Sequence, residues 1–345
     1  QLDDWAFTGP VKGTNTDSAG KIYIDLDGKT TGASIDEAND GANQLSSWSF
    51  SGAVLGSNCD SDGIVYWELL GKATSITEAN DGDNQLSGYA NITGISYVNN
   101  TDSGGKMYFE VVDEGGGDYR VDVFKDAARS SKIAHTATYT GTGTESLTAD
   151  NGSGIGGTIT IDAVVGADND IAVTFPFVNL TGYASAADRT AQSDAVITTD
   201  DGGDTWILGA SNGPTIAGAS LVEQNGSGLS GSVDIAYTAD DSDVTTTLPF
   251  VQVSVYSDAG RTSLVAQSAW TYGPTIDDLA LAEQNSSGLS GTVDVDFSGD
   301  DADIYVTLPF VRLEVYRDSS RSELIATYGY TYDADADVAD VTTTA

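Results

Sequence analysis

The chain has 345 residues, a net charge of −38 at pH 7 and one cysteine, Cys59. That length exceeds one ordinary domain, and an apolar fraction of 39% with 5 Trp, 16 Tyr and 9 Phe fills several cores, which excludes an acidic disordered tail. The charge repels nucleic acid and anionic lipid, the lone cysteine excludes an intrachain disulfide and a Cys-based zinc site, and no apolar run reaches the length of a membrane span.

In chain order, residues 1–43 carry Leu2, Trp5 and Phe7, a turn at Asn15 and an alternating run from Lys21 to Leu26. Residues 44–84 repeat the plan with Leu45, Trp48 and Phe50, a turn at Asn58 and a run from Ile64 to Leu70. Period-two alternation puts each Trp and the following Phe on one strand face, where core roles are expected. Units this short are marginal alone, so residues 1–84 are expected to be two short β repeats sharing one core. The third repeat, residues 85–146, opens in the same way at Leu86 and then continues into a segment from Tyr119 that returns at Phe250 and Phe310. Repeats four to six span residues 147–220, 221–280 and 281–345, and the last two agree at about half their positions with an offset of 60.

The most repeated stretch is Leu281-Ala-Glu-Gln-Asn-Ser-Ser-Gly-Leu-Ser-Gly-Thr-Val-Asp-Val295, with copies at 221–235 and 147–161 and stretched copies from Ile35 and Ile76. It reads as an incoming strand, a tight Asn/Gly/Ser turn and an outgoing strand. Pro176, Pro249 and Pro309 interrupt the long strands of the later repeats, each just before a Phe, and mark bends or edges because proline donates nothing to a ladder. The expected fold is all-β, a tandem array of small antiparallel sandwiches. In that architecture the units resemble the tandem Ig-like β-sandwich repeats of microbial surface and extracellular filament proteins. The resemblance implies a structural role outside the cell and assigns no site residues.

No catalytic residues and no cofactor are expected. The one histidine, His135, has Gln267 and Thr327 as counterparts, so its place asks only for a polar strand residue, and no triad or histidine zinc site can be assembled. The chain is therefore not read as an enzyme. Asp126/Arg129, Asp258/Arg261 and Asp318/Arg321 recur at one turn, with Arg189 following in repeat four, and are expected to clamp it. Acidic turns suit calcium, which takes six to eight oxygen ligands, and the loop with Glu78, Asn80, Asp81 and Asp83 is the candidate site. Asparagine sequons stand at Asn91, Asn99, Asn151, Asn179, Asn225 and Asn285.

The chain begins at Gln1 and its one methionine is Met107, so it reads as a mature product whose leader has been removed, extracellular or at the cell surface. The function expected is a structural subunit of an extracellular filament or surface layer, a homopolymer joined head to tail by strand complementation. Residues 334–345 of one subunit would complete the sheet around residues 2–9 of the next, with Leu2, Trp5, Phe7, Val338, Val341 and Thr343 at the subunit interface. The alternative is a secreted adhesin or carbohydrate-binding stalk, calcium-dependent, with Trp206, Trp270 and Tyr328 as stacking platforms for glycans.

Overall fold

The computed structural model describes residues 2–38, 44–78, 85–162, 166–210, 213 and 215–333. It is all-β, 53% strand and 2% helical, and every pair of named strands runs antiparallel. The repeats do not follow one another as separate modules. The three modules are nested: the innermost is continuous in sequence, and each of the other two is built from two distant stretches of chain.

The innermost module shows the plan. Strand Lys106–Gly115 turns through Gly115, Gly116 and Gly117, all at positive φ, straight into Asp118–Phe124, with Val111 opposite Val121. In the middle module the same pair is Ile64–Gly71 and Phe177–Tyr183, with Leu69 opposite Leu180. The whole inner module occupies the connection between them. In the outer module the pair is Lys21–Gly28 and Phe250–Tyr256, with Leu26 opposite Val253, and both other modules lie between.

Alternation explains why the inbound strands sit centrally. Ile22, Ile24 and Leu26, then Val65, Trp67 and Leu69, then Met107, Phe109 and Val111 all point inward and are fully buried. The outward Tyr23, Tyr66 and Tyr108 each reach back six residues, donating to Asp17, Asp60 and Asp102 at 2.9, 2.8 and 2.6 Å. Burial, and then the bond to the carboxylate, push Tyr66 and Tyr108 up to about 12.

Residues 1–84, expected to share one core, instead divide between two. Phe7, Ile22, Ile24 and Leu26 pack with Val251 to Leu308, whereas Leu45, Phe50, Val65, Trp67 and Leu69 pack with Val178 to Phe250. The remaining boundaries fall differently as well: residues 86–177 fill the inner core. Trp5 also departs from its expected place, being 44% exposed while Phe7 is 5% exposed. The ladder to Ser290–Asp296 runs in unbroken register from Trp5 to Thr8, so the two rings share a face, but Trp5 stands next to the register shift that follows Leu2, on the terminal strand of the sheet.

The prolines mark where the chain leaves a module. Pro176 lies between Asp168–Thr174 of the inner module and Phe177–Tyr183 of the middle one. Pro249 separates Thr245–Thr247 from Phe250–Tyr256 in the same way. The inbound chain crosses beside it: Lys72 N–H donates to the Phe177 carbonyl at 2.8 Å and Lys29 N–H to the Phe250 carbonyl at 2.9 Å. Having crossed, it adds a short strand to the next module's edge, Ser75–Thr77 on Asp168–Thr174 and Ser34–Asp36 on Thr245–Thr247.

Candidate functional site: interlocked turns and an open half-module

Within each module the two halves are fastened at one place. The side-chain amide of Asn58 donates to the carbonyls of Gly52 and Ser227 at 2.8 and 3.0 Å, while its oxygen accepts the Val54 N–H at 2.8 Å. Asn15 does the same with Gly9, Ser287 and Val11. Asn100 bonds the Ser153 carbonyl and the Ser96 N–H. All three side chains are buried, so each replaces water for carbonyls that would otherwise go unpaired. The turns touch closely enough to require glycine. A Cβ on Gly52, which sits at φ 75, would lie 2.1 Å from the Gly228 oxygen. Gly9 and Gly94 meet Gly288 and Gly154 alike.

The recurring arginines fasten the halves at a second place. Arg129 donates to the Phe109 carbonyl at 3.4 Å, Arg189 to Trp67 and Val244 at 3.4 and 3.2 Å, and Arg261 to Ile24 and Ile304 at 3.1 and 3.5 Å. The clamp therefore spans strands rather than closing only its own turn. The aspartates hold the turns: Asp126 accepts the N–H groups of Ser130 and Ser131 at 3.1 and 2.8 Å, and the Ser130 bond keeps its carboxyl below the ordinary range.

Beyond Pro309 the chain begins this returning half a fourth time. Strands Phe310–Val311, Glu314–Tyr316, Leu324–Thr327 and Thr331–Tyr332 match residues 250–272 at the offset of 60, yet among the described residues they pair only with each other. Exposure records the difference. Val253 is fully buried and Val265 is 6% exposed, but their counterparts Leu313 and Ile325 are 58% and 53% exposed, and Leu324, Tyr328 and Tyr330 are exposed with them. A groove of about 480 Å³ runs along this face, lined by Phe310, Leu313, Tyr316, Arg321 and Tyr330 among others. Phe310 packs on the outer core, and the Lys12 ammonium lies 3.8 Å from the Tyr330 ring centre, so the half-module is seated against the outer module.

A second edge is open beside it. Asp301–Thr307 pairs with Lys21–Gly28 on one side. Its equivalents Asp168–Thr174 and Thr245–Thr247 carry a crossing strand on the other side as well, but none of the described residues takes that place on Asp301–Thr307. Tyr305 on this edge is 57% exposed.

The residues expected at a subunit interface are only partly in view. Leu2 lies opposite Val295, Trp5 opposite Val293 and Phe7 opposite Gly291, and their strand, Leu2–Thr8, is the terminal strand of its sheet. Val338, Val341 and Thr343 lie outside the described residues, as do Asn80, Asp81 and Asp83 of the candidate calcium loop. Glu78 of that loop accepts the N–H groups of Gln85 and Leu86 at 2.7 and 3.4 Å, as Glu37 does those of Gln44 and Leu45 at 2.8 and 3.2 Å. Gln85 in turn donates to Asp168 at 3.1 Å, on the acidic turn of the inner module. Asp240 and Asp300 accept the N–H groups of Gly71 and Gly28 at 2.7 and 2.9 Å, so these aspartates also join inbound to returning chain.

His135 bonds Asp150 at 2.9 Å on the strand surface. Cys59 is buried in the middle core, and that burial pushes its thiol up to about 11. Three sequon asparagines are structural: Asn151, Asn225 and Asn285 stand at positive φ and donate to the carbonyls of Lys132, Ala195 and Leu264, each at 2.9 Å. Asn179 is buried, while Asn91 and Asn99 are exposed. Among the described residues no group of three or more His, Cys, Asp and Glu is arranged to hold a metal, and no helix is long and apolar enough to cross a membrane. No protein-family model, curated protein or solved structure matches this chain.

Proposed function

We propose that the chain is a structural subunit of an extracellular filament or surface layer, assembling head to tail with its own copies by β-strand complementation. Its modules are taken as small Ig-like sandwiches. The half-module at residues 310–332 carries the proposal, because its apolar face is exposed where three equivalent faces are covered. Covering Leu313, Leu324 and Ile325 is worth about 2 kcal/mol each, enough to drive association. The net charge of −38 opposes indiscriminate aggregation and leaves register-specific pairing as the favoured contact.

In the head-to-tail scheme residues 334–345 of one subunit add to the free edge of Leu2–Thr8 on the next. Deleting residues 334–345 is expected to give folded, soluble monomers by sedimentation and negative-stain microscopy. Normal assembly of the deletion variant rejects the scheme.

The second reading, a secreted adhesin or carbohydrate-binding stalk, draws on one groove. It has a volume of about 530 Å³ and is lined by Tyr97, Asn99, Asp201, Asp204 and Trp206. The Trp206 ring is already stacked on Tyr97 at 5.0 Å, with the Lys72 ammonium 4.8 Å from its centre, which leaves less of it for a sugar. Specific binding on a glycan array, measured with and without calcium, would favour this reading.

A further inference from the structure

The two open edges, on Glu314–Tyr316 and on Asp301–Thr307, are the ones that a single kind of segment fills in the other junctions. Lys21–Gly28 pairs with Phe250–Tyr256, crosses at Lys29 and adds Ser34–Asp36 to Thr245–Thr247. Ile64–Gly71 pairs with Phe177–Tyr183, crosses at Lys72 and adds Ser75–Thr77 to Asp168–Thr174. One continuous segment of about fifteen residues thus closes a returning half and caps the neighbouring module at once. A segment of that kind beside residues 310–332 would meet both open edges together.

We infer that the half-module is an acceptor for a donor segment of this class. The donor is an alternating strand with inward residues like Ile22, Ile24 and Leu26 or Val65, Trp67 and Leu69, then Gly-Lys, then a Ser-Ile crossing strand. The offset of 60 sets its register. Leu26 faces Val253 and Ile24 faces Val255, so the donor's leucine faces Leu313 and its second inward residue faces Val315. Ile35 faces Thr246, so the donor's crossing isoleucine faces Val306. Lys29 lies 4.8 Å from the Trp270 ring centre, so the donor's lysine comes to Tyr330. Pairing through the main chain supplies affinity, and the alternate side chains entering the groove supply specificity.

This inference rests on the complementation reading, but not on the partner being a second copy. The three inbound strands of this chain, Lys21–Gly28, Ile64–Gly71 and Lys106–Gly115, are already engaged in their own modules. Among the described residues no fourth inbound strand is left to pair with Glu314–Tyr316.

The test adds a synthetic peptide with the sequence of residues 15–37 to the intact chain, followed by calorimetry, sedimentation and hydrogen exchange. The expected result is one-to-one binding, with protection gained over residues 305–332 and unchanged over residues 250–296. Ile325→Asp in the protein, or Leu26→Asp in the peptide, is expected to weaken binding by about tenfold or more. Circular dichroism and exchange over residues 2–308 show that the protein variant still folds. Protection changing over residues 250–296 means that the peptide displaces the chain's own strand, and overturns the inference. If the peptide neither binds nor competes while the chain alone associates and loses that association when residues 334–345 are deleted, this inference falls while the head-to-tail reading stands. If it neither binds peptide nor associates, both fall.

Discussion

The side-chain amide of Asn58 meets the carbonyl of Ser227 at 3.0 Å, across 169 positions of chain. With Asn15 on Ser287 and Asn100 on Ser153, it shows that every module has a buried asparagine reaching from the inbound half to the returning half. The inbound turn and the returning turn have meaning only as a pair.

Asn58→Ala leaves the Val54 N–H and two carbonyls without their partner in a buried place. A loss of about 2–3 kcal/mol is expected in denaturant unfolding. Hydrogen exchange should place that loss in the middle module, over residues 45–71 and 177–248, with the inner module unaffected. A uniform loss would argue against modular closure.

Two glycines of the same turn separate conformation from contact. Gly56 is at φ 72 with open space around its Cβ position, so Gly56→Ala is expected to cost about 1 kcal/mol for the left-handed backbone alone. Gly52→Ala adds a clash with the Gly228 main chain and should cost several-fold more. Equal losses in thermal unfolding would mean that the turns do not interlock as described.

Asp122 is held by Arg120 at 2.8 Å and Lys132 at 2.7 Å. Burial pushes its carboxyl up, but those bonds outweigh burial and hold it below its ordinary 3.8. A lowered folded value contributes stability above the unfolded value and loses it as pH falls through the folded one. Asp122→Asn should therefore lower stability at pH 7 by about 2 kcal/mol. The gap from the parent should narrow below about pH 4, as read from denaturant curves across that range.

Nesting makes one module continuous in sequence. A fragment of residues 85–177 should fold alone with a cooperative thermal transition, because its inbound and returning strands are both present. A fragment of residues 177–308 lacks both inbound strand pairs and should stay unfolded until residues 1–78 are supplied with it. Independent folding of the second fragment would contradict the pairing of Leu26 with Val253 and of Leu69 with Leu180.

Calcium at Glu78, Asn80, Asp81 and Asp83 would stiffen a junction between modules. Chelation is then expected to expose residues 36–43 and 77–84 to proteolysis before any other region. Uniform loss of structure, or no change in the cleavage pattern, removes the site.

The sequence makes the strands, the turns and the offset of 60 readable, because alternation and Asn/Gly chemistry are local signals. Partner choice is not local. Ile22, Ile24 and Leu26 announce a buried face without saying what buries it, and tandem and nested pairings satisfy that pattern equally. The clue lay in the proline–phenylalanine pairs, read as bends, which mark passage between modules. Glu78 is ambiguous in the same way, since a carboxylate bonding the N–H of Gln85 and one aimed at a cation have the same sequence. Trp5 shares the face of Phe7 as a period of two requires, and its exposure on a terminal strand is a matter of what lies beside it, which a period does not carry.

At each junction two segments cross side by side, Lys72 against Phe177 and Lys29 against Phe250. A single cut there separates nothing, since the other crossing still tethers the modules. Tension behaves differently again. A pull that enters at Leu2 and leaves at Leu308 acts on two residues of one core, so the outer module bears the whole load while the inner two hang slack. The chain yields from the outside inward, one module at a time, and each opening pays out its own stored length and passes the load to the next.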